Sequence, residues 1–440
     1  MTRGVEIPAL SLLAGVLFGA PLTPAQAAGF AIIEQSASGQ GHAFAGAAAT
    51  ATDASTIFFN PAGLTRLEDP QVLVAFHLLH TRAEFTDQGS KLAGGSALSG
   101  ANDDGGDEPF VPNLYVSYPL GDNLVAGFGI NAPFGLETRY RPDWVGRYHA
   151  IRSDLATINL NPSLGWQATE HLALGVGLDA QYIRATLSNA IDFGSLAGLP
   201  QQADAYSEMS GNDWSWGYNL GALLDVGENL RLGLAYRSKI RHTLSGTIGF
   251  TPPLIPAFAG PFSARPEFRD RPVTAAVTLP ETVSLSAAWQ ASEALELLAD
   301  VTWTRWSRFK TLTVVDQTGT PVSQTPENWK NVRRYALGLD YHYSDAWTLR
   351  AGVAYDEEPI PDAAHRTPRI PGNDRKWLSF GFGYAVNPDF VIDVGYTHLF
   401  VGDTPIRKTL DTSVPQLRHT LVGNFDNSVD ILSAQFRMTF

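Results

Sequence analysis

The stretch from Ala28 to Leu67 carries at its centre Asp53, Ala54, Ser55, Thr56, Ile57, Phe58, Phe59, Asn60, Pro61, Ala62, Gly63 and Leu64. Small residues dominate up to Thr52, and the Ser/Gly/Gln cluster from Ser36 to Gly41 has too little apolar bulk to pack a core of its own. Two phenylalanines then run into an Asn-Pro turn signal. Everything after Pro70 reads differently, as strand after strand. A segment of about forty residues set before a large closed sheet has one economical location, which is inside it.

Past Pro70 the dominant signal is a period of two, which puts alternate side chains on opposite faces of a strand. Leu172, Leu174, Val176, Leu178, Ala180 and Tyr182 share one face of their segment, and Ala173, Gly175, Gly177, Asp179 and Gln181 share the other. Leu230, Leu232, Leu234 and Tyr236 alternate with Arg231, Gly233, Ala235 and Arg237, and the pattern recurs from Trp347 to Tyr355 and from Phe390 to Thr397. Alternation alone leaves open whether the apolar face points inward, as in a soluble sandwich, or outward into lipid. The connections decide. Short turns at Gly121 to Asn123, Thr169 to His171, Gly227 to Asn229, Ser292 to Ala294, Ser344 to Ala346 and Asn387 to Asp389 are separated by long Gly/Pro-rich stretches. Asp87 to Pro109, Ile191 to Asn212, Pro252 to Pro272 and Asp356 to Arg375 are examples. This alternation marks an all-β fold, a transmembrane antiparallel β-barrel with short periplasmic turns and long outer loops. Six short turns with both chain ends periplasmic give seven hairpins, hence fourteen strands. The last strand places Leu432, Ala434, Phe436, Met438 and Phe440 on one face and stops on Phe440, an ending that resembles the assembly signal of outer-membrane barrels. Trp144, Tyr148, Trp214, Trp216, Trp329 and Trp377 fall near the expected loop ends, where an aromatic belt would sit.

The N-terminus reads as a secretory signal over residues 1–27: Arg3, an apolar run from Ile7 to Leu22, and Ala25, Gln26, Ala27 as a small-x-small cleavage site. No other apolar run is long enough to cross a bilayer as a helix. The expected organisation is therefore a signal peptide (1–27), an N-terminal hatch (28–67) and the barrel (68–440), in the outer membrane of a Gram-negative bacterium. A formal charge of −13 with no basic face argues against nucleic acid as a partner. Cysteine is absent, which removes thiol chemistry and disulfides.

Two segments resemble the FadL-like outer-membrane transporters of long-chain fatty acids and aromatic hydrocarbons. One is Ala28, Gly29, Phe30 through Gly63, with Asn60, Pro61 and Ala62 at the position of that family's hatch motif. The other runs from Pro133, Phe134, Gly135 and Leu136 to Tyr140 and on through Asp143, Trp144, Val145, Gly146, Arg147 and Tyr148. The resemblance implies a fourteen-stranded barrel plugged by its hatch, substrate binding beside Gly29 and Phe30, hatch movement that opens the path, and a kinked third strand with a lateral opening. No enzyme activity and no cofactor are expected.

The residues carry their own version of several of these points. Leu124, Ala126, Phe128, Ile130, Phe134 and Leu136 are expected to face lipid, and Gly127, Gly129, Asn131, Pro133 and Gly135 the lumen. Pro133 lacks an N–H, so it marks either a bend in the wall with Gly135 leaving space beside it, or the start of a loop. Phe193, Leu196 and Leu199 in one long loop, with Ile255, Phe258 and Phe262 in another, form either a lid packed on itself or a hydrophobic docking groove, the latter being what the resemblance implies. A fatty acid needs a cation for its carboxylate, for which Arg237 is the candidate; a lumen salt bridge with Asp179, Asp340 or Asp393 is the alternative use of that side chain. Asp103, Asp104, Asp107 and Glu108 form an acidic cluster, either a solvated loop or a loose cation bridge to lipopolysaccharide. The ten His are singletons without metal-ligand spacing, so no metal is expected. The chain thus reads as a monomeric passive channel for hydrophobic molecules, with outer-membrane lipids and lipopolysaccharide as surroundings. Fatty acids are the first reading, aromatic hydrocarbons such as toluene the second, and a general porin or a lipolytic barrel enzyme the remote ones.

Overall fold

Period-two patterning closes one antiparallel sheet on itself. In the computed structural model, which describes residues 29–440, the strand segments are β1 (Gln71–Asp87), β2 (Phe110–Gly121), β3 (Leu124–Asn131), β4 (Gly135–Arg139), β5 (Arg152–Gln167), β6 (Leu172–Asp192), β7 (Asp204–Val226), β8 (Leu230–Arg237), β9 (Ile240–Thr251) and β10 (Arg271–Leu279). They continue with β11 (Thr282–Ser292), β12 (Leu295–Thr304), β13 (Thr311–Asp316), β14 (Pro321–Pro326), β15 (Val332–Ser344), β16 (Trp347–Asp356), β17 (Arg375–Asn387), β18 (Phe390–Val401), β19 (Thr404–Thr409) and β20 (Thr420–Thr439). Six barrel strands are interrupted once, at β3/β4, β8/β9, β10/β11, β12/β13, β14/β15 and β18/β19, so the segments make fourteen strands. The barrel closes through β1 and β20, paired from Gln71↔Thr439 to Asp87↔Gly423. The expected signal peptide lies outside the described residues.

All six short turns fall between strands as expected, but the loop side is less uniform. Half of the expected loop from Ile191 to Asn212 is strand, because β6 and β7 stay paired out to Asp192↔Asp204. The β13–β14 connection on that side is also short, spanning 317–320. The apolar face points outward: Leu174, Val176 and Leu178 are exposed while Ala173, Asp179 and Gln181 are buried. Lipid is the solvent that makes this stable.

The aromatic belt needs a correction. Only Trp214 and Trp216 of the six candidate residues are exposed; Trp144, Tyr148, Trp329 and Trp377 are buried. Proximity to a strand end does not fix the face, and these four side chains turn into the loop core or the lumen. The outward rings near the loops are instead Trp214, Trp216, Tyr218, Tyr335, Tyr355 and Phe400, and those near the turns include Tyr118, Trp166, Trp289 and Tyr343.

The N-terminal segment fills the barrel. Two single-turn helices, Ala37–Gly41 and Thr56–Phe59, and a 3-10 turn, Pro61–Arg66, are too short to be stable alone. The wall holds them. Gln435 Oε1 accepts from Ala37 N (3.0 Å), Gln40 Nε2 donates to the Ile431 carbonyl (3.0 Å), Ser286 Oγ accepts from Ala48 N (3.1 Å) and Asn219 Nδ2 donates to the Ile57 carbonyl (3.1 Å). Buried Asp53 takes Ser38 Oγ (2.7 Å), Ser55 N (2.9 Å), Ser55 Oγ (2.6 Å) and Gln435 Nε2 (3.0 Å), so its charge is fully hydrogen-bonded. The inward glycines explain how backbone comes so close to wall. A Cβ at Gly221 would lie 1.9 Å from Asn60 Oδ1, at Gly233 1.9 Å from the Ala48 carbonyl oxygen, at Gly175 2.1 Å from Ala62 N, and at Gly352 2.3 Å from the His42 carbonyl.

Candidate transport path

The wall is broken at its third strand. Residues Leu114 to Gly121 of β2 pair with β3, but β4 pairs only with β5, so above Asn131 the edges of β2 and β4 face a gap. From Asn131↔Asn159 to Gly135↔Ala156 the third strand advances four residues against three on β5. That single extra residue reverses the facing of everything beyond it. Phe134 and Leu136, expected to face lipid, are consequently buried in the lumen cluster with Phe30 and Trp306.

The gap is filled by the chain's own N-terminus. Ile32 N donates to the Pro133 carbonyl (2.8 Å) and Gly135 N to the Phe30 carbonyl (2.9 Å), a β-bridge between Ala31 and Phe134 that stands where β2 would have paired. Asn113 Nδ2, on the free edge of β2, donates to the Glu34 carbonyl (3.0 Å), and Tyr115 Oη donates to Gln35 Oε1 (3.1 Å). At the far end of the plug, Asn60 Nδ2 reaches the Ala48 carbonyl (2.6 Å) and the Ala222 carbonyl of β7 (3.0 Å), while its Oδ1 caps Ala62 N (3.1 Å) and Pro61 starts the 3-10 turn. Arg66 pairs with Asp225 of the same wall strand.

Phe30 separates two apolar chambers. Its ring sits among Trp306 (4.8 Å between centroids), Trp329 (5.7 Å), Phe309 (5.8 Å) and Phe134 (6.1 Å). Gly29 has φ +65°, and a Cβ there would lie 2.6 Å from Trp329, so this turn into the cage requires glycine. On the loop side is a chamber of about 120 Å³ walled by Leu136, Leu155, Ile183, Leu244, Val277 and Ile370, with Ser210, Glu327, Thr367 and Arg369 as its polar residues. On the plug side is one of about 140 Å³ reaching Ile32, Phe58, Phe59, Phe134, Arg237 and Arg334.

The cations of the two chambers differ. Arg237 Nη1 is hydrogen-bonded to buried Asp179, Nη2 donates to the Phe58 carbonyl (2.9 Å), and the guanidinium lies 4.4 Å over the Phe58 ring. Its charge is compensated. Arg350 takes Asp340 (3.3 Å) and Asp393 (2.7 Å) in the same lumen. Arg334 donates Nη2 to the Ala43 carbonyl (2.6 Å), while its Nε and Nη1 have no hydrogen-bond partner. Arg369 donates to the Arg152 carbonyl (3.0 Å), Ser153 Oγ (3.1 Å) and the Ser188 carbonyl (3.2 Å), all neutral, and no carboxylate pairs with it among the described residues. Burial lowers Arg369 to about 10, which leaves it charged at neutral pH. Burial also raises neighbouring Glu327 to about 8, against the opposing pull of Lys408 and a hydrogen bond from Trp329 Nε1 (3.1 Å), so this acid is mostly protonated at pH 7.

In the loops, Phe193, Leu196, Phe258 and Phe262 pack into one cluster with Phe250 and Phe268, the Phe262 and Phe268 rings stacked at 4.4 Å. Leu199 and Ile255 remain exposed beside it, and Leu254 is 96% exposed. The acidic cluster is largely spent on structure: Asp103 holds Arg141 (3.0 Å), Asp104 caps Ala83 N (2.7 Å) and Glu108 meets His80 (3.2 Å).

Residues 20–440 match the family model described as outer membrane protein transport protein (OMPP1/FadL/TodX). The chain belongs to the FadL/TodX family. The long-chain fatty acid transport protein of Salmonella typhi is 31% identical over 86% of this chain and 88% of its own. A Pseudomonas aeruginosa FadL homologue of known crystal structure superposes with a TM-score of 0.86 at 26% identity, over 94% of this chain and all of its own. The Pseudomonas putida toluene transporter TodX shares the fold, with a TM-score of 0.69 at 17% identity over 94% of this chain and all of its own. The FadL-family chain is thus an outer-membrane transporter of hydrophobic compounds.

Sequence reasoning missed Arg369, Glu327 and the cage residues Trp306, Phe309 and Trp329. Arg369 sits in a Pro-rich loop with no periodicity, and the cage is assembled from two strand interruptions on neighbouring strands, which leave no local pattern.

Proposed function

We propose that this FadL-family protein carries long-chain fatty acids, which enter the loop-side chamber, displace Phe30 and leave sideways into the lipid between β2 and β4. The observation that carries the reading is Arg369, a buried cation without a carboxylate partner at the polar end of an apolar chamber. A fatty acid supplies both the missing charge and the tail that such walls fit. On this reading Glu327 stays neutral so that it does not compete for Arg369. Beyond Phe30, Arg334 and Arg237 line the second chamber and offer the carboxylate a further stop, Arg237 by exchange with Asp179.

The packing supports movement of the hatch. The Phe30 cage divides the two chambers, and the strand carrying Phe30 to Ile32 occupies the gap in the wall. One displacement would therefore join the chambers and clear the lateral exit. The exposed Leu199, Leu254 and Ile255 beside the loop cluster offer an apolar landing surface. An aromatic hydrocarbon is the second reading, favoured by the cage of rings around Phe30. The test is uptake in a strain lacking its own transporter. Oleate uptake should be lost in Arg369→Ala with toluene uptake unaffected; equal oleate uptake in the variant and the wild type would overturn the fatty-acid reading.

A further inference from the structure

A second charged feature lies outside the barrel and has no part in that path. The strands formed by β8/β9, β10/β11 and β12/β13 are neighbours, and all three are interrupted at one height, at 238–239, 280–281 and 305–310. The shared interruption cuts a notch of about 350 Å³ lined by Lys239, Arg241, Arg305, Arg308 and Lys310, with Thr278 and Ser307. No carboxylate lines it; buried Glu281 beside it bonds Arg305 (3.0 Å) and Arg308 (2.7 Å). No carboxylate pairs with Lys239, Arg241 or Lys310 among the described residues. Five cations therefore share one anion, in a chain whose formal charge is −13.

The notch opens outward. Ile240, His242, Leu279, Trp306 and Phe309, its sequence neighbours, are buried on the lumen side, while Arg241, Arg305 and Lys310 are exposed. Directly beneath it Tyr236, Val283 and Trp303 pair side by side across the three strands, and below them Leu234, Leu285 and Val301 are exposed. Above it the outward residues of β9 are Thr243, Ser245 and Thr247. The notch thus sits where the apolar wall ends and the polar wall begins, at the level of the outer-leaflet headgroups. Cations crowded at that depth repel one another unless an anion joins them. Arginine and lysine together, with hydroxyls beside them, suit a phosphate.

We propose that this notch binds the phosphate of a phosphorylated lipid headgroup in the outer leaflet, with Lys239, Arg241 and Lys310 as its free cations and Arg305 and Arg308 held in place by Glu281. The test uses the full-length protein in nanodiscs containing phosphatidylcholine, to which diphosphorylated lipid A is added and bound lipid is read by native mass spectrometry. The triple variant K239Q/R241Q/K310Q leaves the Glu281 cluster intact, and the heat-dependent shift in electrophoretic mobility checks that its barrel has assembled. Retention of lipid A should fall at least about tenfold in the assembled variant. Enzymatically dephosphorylated lipid A should bind the wild type as weakly as the variant. Equal retention by wild type and variant would overturn the site. Complete displacement of lipid A by millimolar inorganic phosphate would overturn the lipid assignment in favour of a free anion.

Discussion

Glu327 and Arg369 together make a prediction about pH. Burial holds Glu327 at about 8, well above an ordinary carboxyl, so it is protonated at pH 7 and ionises between pH 7 and 9. Arg369 keeps its charge across that interval because its own value is about 10. As pH rises, the new carboxylate neutralises the cation that a fatty acid would use. Oleate affinity, followed by fluorescence quenching of the cage tryptophans, should therefore fall from pH 7 to pH 9, by about tenfold for one competing charge. Glu327→Gln should flatten the profile, and a fall of the same size in that variant would assign it to another group. The pair also shows what a sequence withholds at this scale. Arg237 was visible because its strand alternates, but whether it is free depends on Asp179, two strands away, and that distance is set by register that no local pattern fixes.

Among the elements, the interrupted third strand was legible and its facing was not. Pro133, without its N–H, marks a bend or a loop start, yet the one-residue excess between Asn131 and Gly135 turns Phe134 and Leu136 inward, and an excess of that kind is visible only against the partner strand. What occupies the bend was equally hidden, because Phe30 to Ile32 carry no strand signal until an edge is offered to them. The bridge between Ala31 and Phe134 gives a direct test of hatch movement. The two residues are antiparallel partners, at a spacing that a disulfide can span, and the chain contains no cysteine to interfere. The double variant Ala31→Cys/Phe134→Cys should transport when reduced and lose that uptake when oxidised, with recovery on adding reductant. Transport by the oxidised form would exclude release of this strand from the path. The other anchor is Asn60. Truncation to Ala removes the donor from the buried Ala48 carbonyl and the tie to Ala222 of the wall, at a cost of about 1–3 kcal/mol to the docked plug. Asn60→Ala should lower oleate uptake while the barrel still shows its heat-dependent mobility shift, and wild-type uptake would reduce Asn60 to a turn former.

For the whole molecule, the strand count was legible because the short turns obey a rule imposed by the membrane, and the location of the plug was legible because its sequence could go nowhere else. How plug and wall meet was not. The glycines of the lumen face read as turn and strand residues of a glycine-rich sheet protein, whereas Gly175, Gly221, Gly233 and Gly352 exclude side chains where plug backbone touches the wall. The barrel's own pairing passes through these positions without using the plug: Gly233 is hydrogen-bonded between β7 and β11 like any strand residue. A side chain at Gly233 should therefore leave wall closure intact and forbid the plug its seat, since the first added carbon already overlaps the Ala48 carbonyl. Gly233→Leu is expected to assemble, to keep its heat-dependent mobility shift, and to conduct ions in planar bilayers at a level far above the plugged wild type. The same variant should admit hydrophilic antibiotics to cells that the wild type excludes. If Gly233→Leu instead assembled with wild-type conductance, the plug would have to reseat without that contact, and the glycine face would not be what docks it.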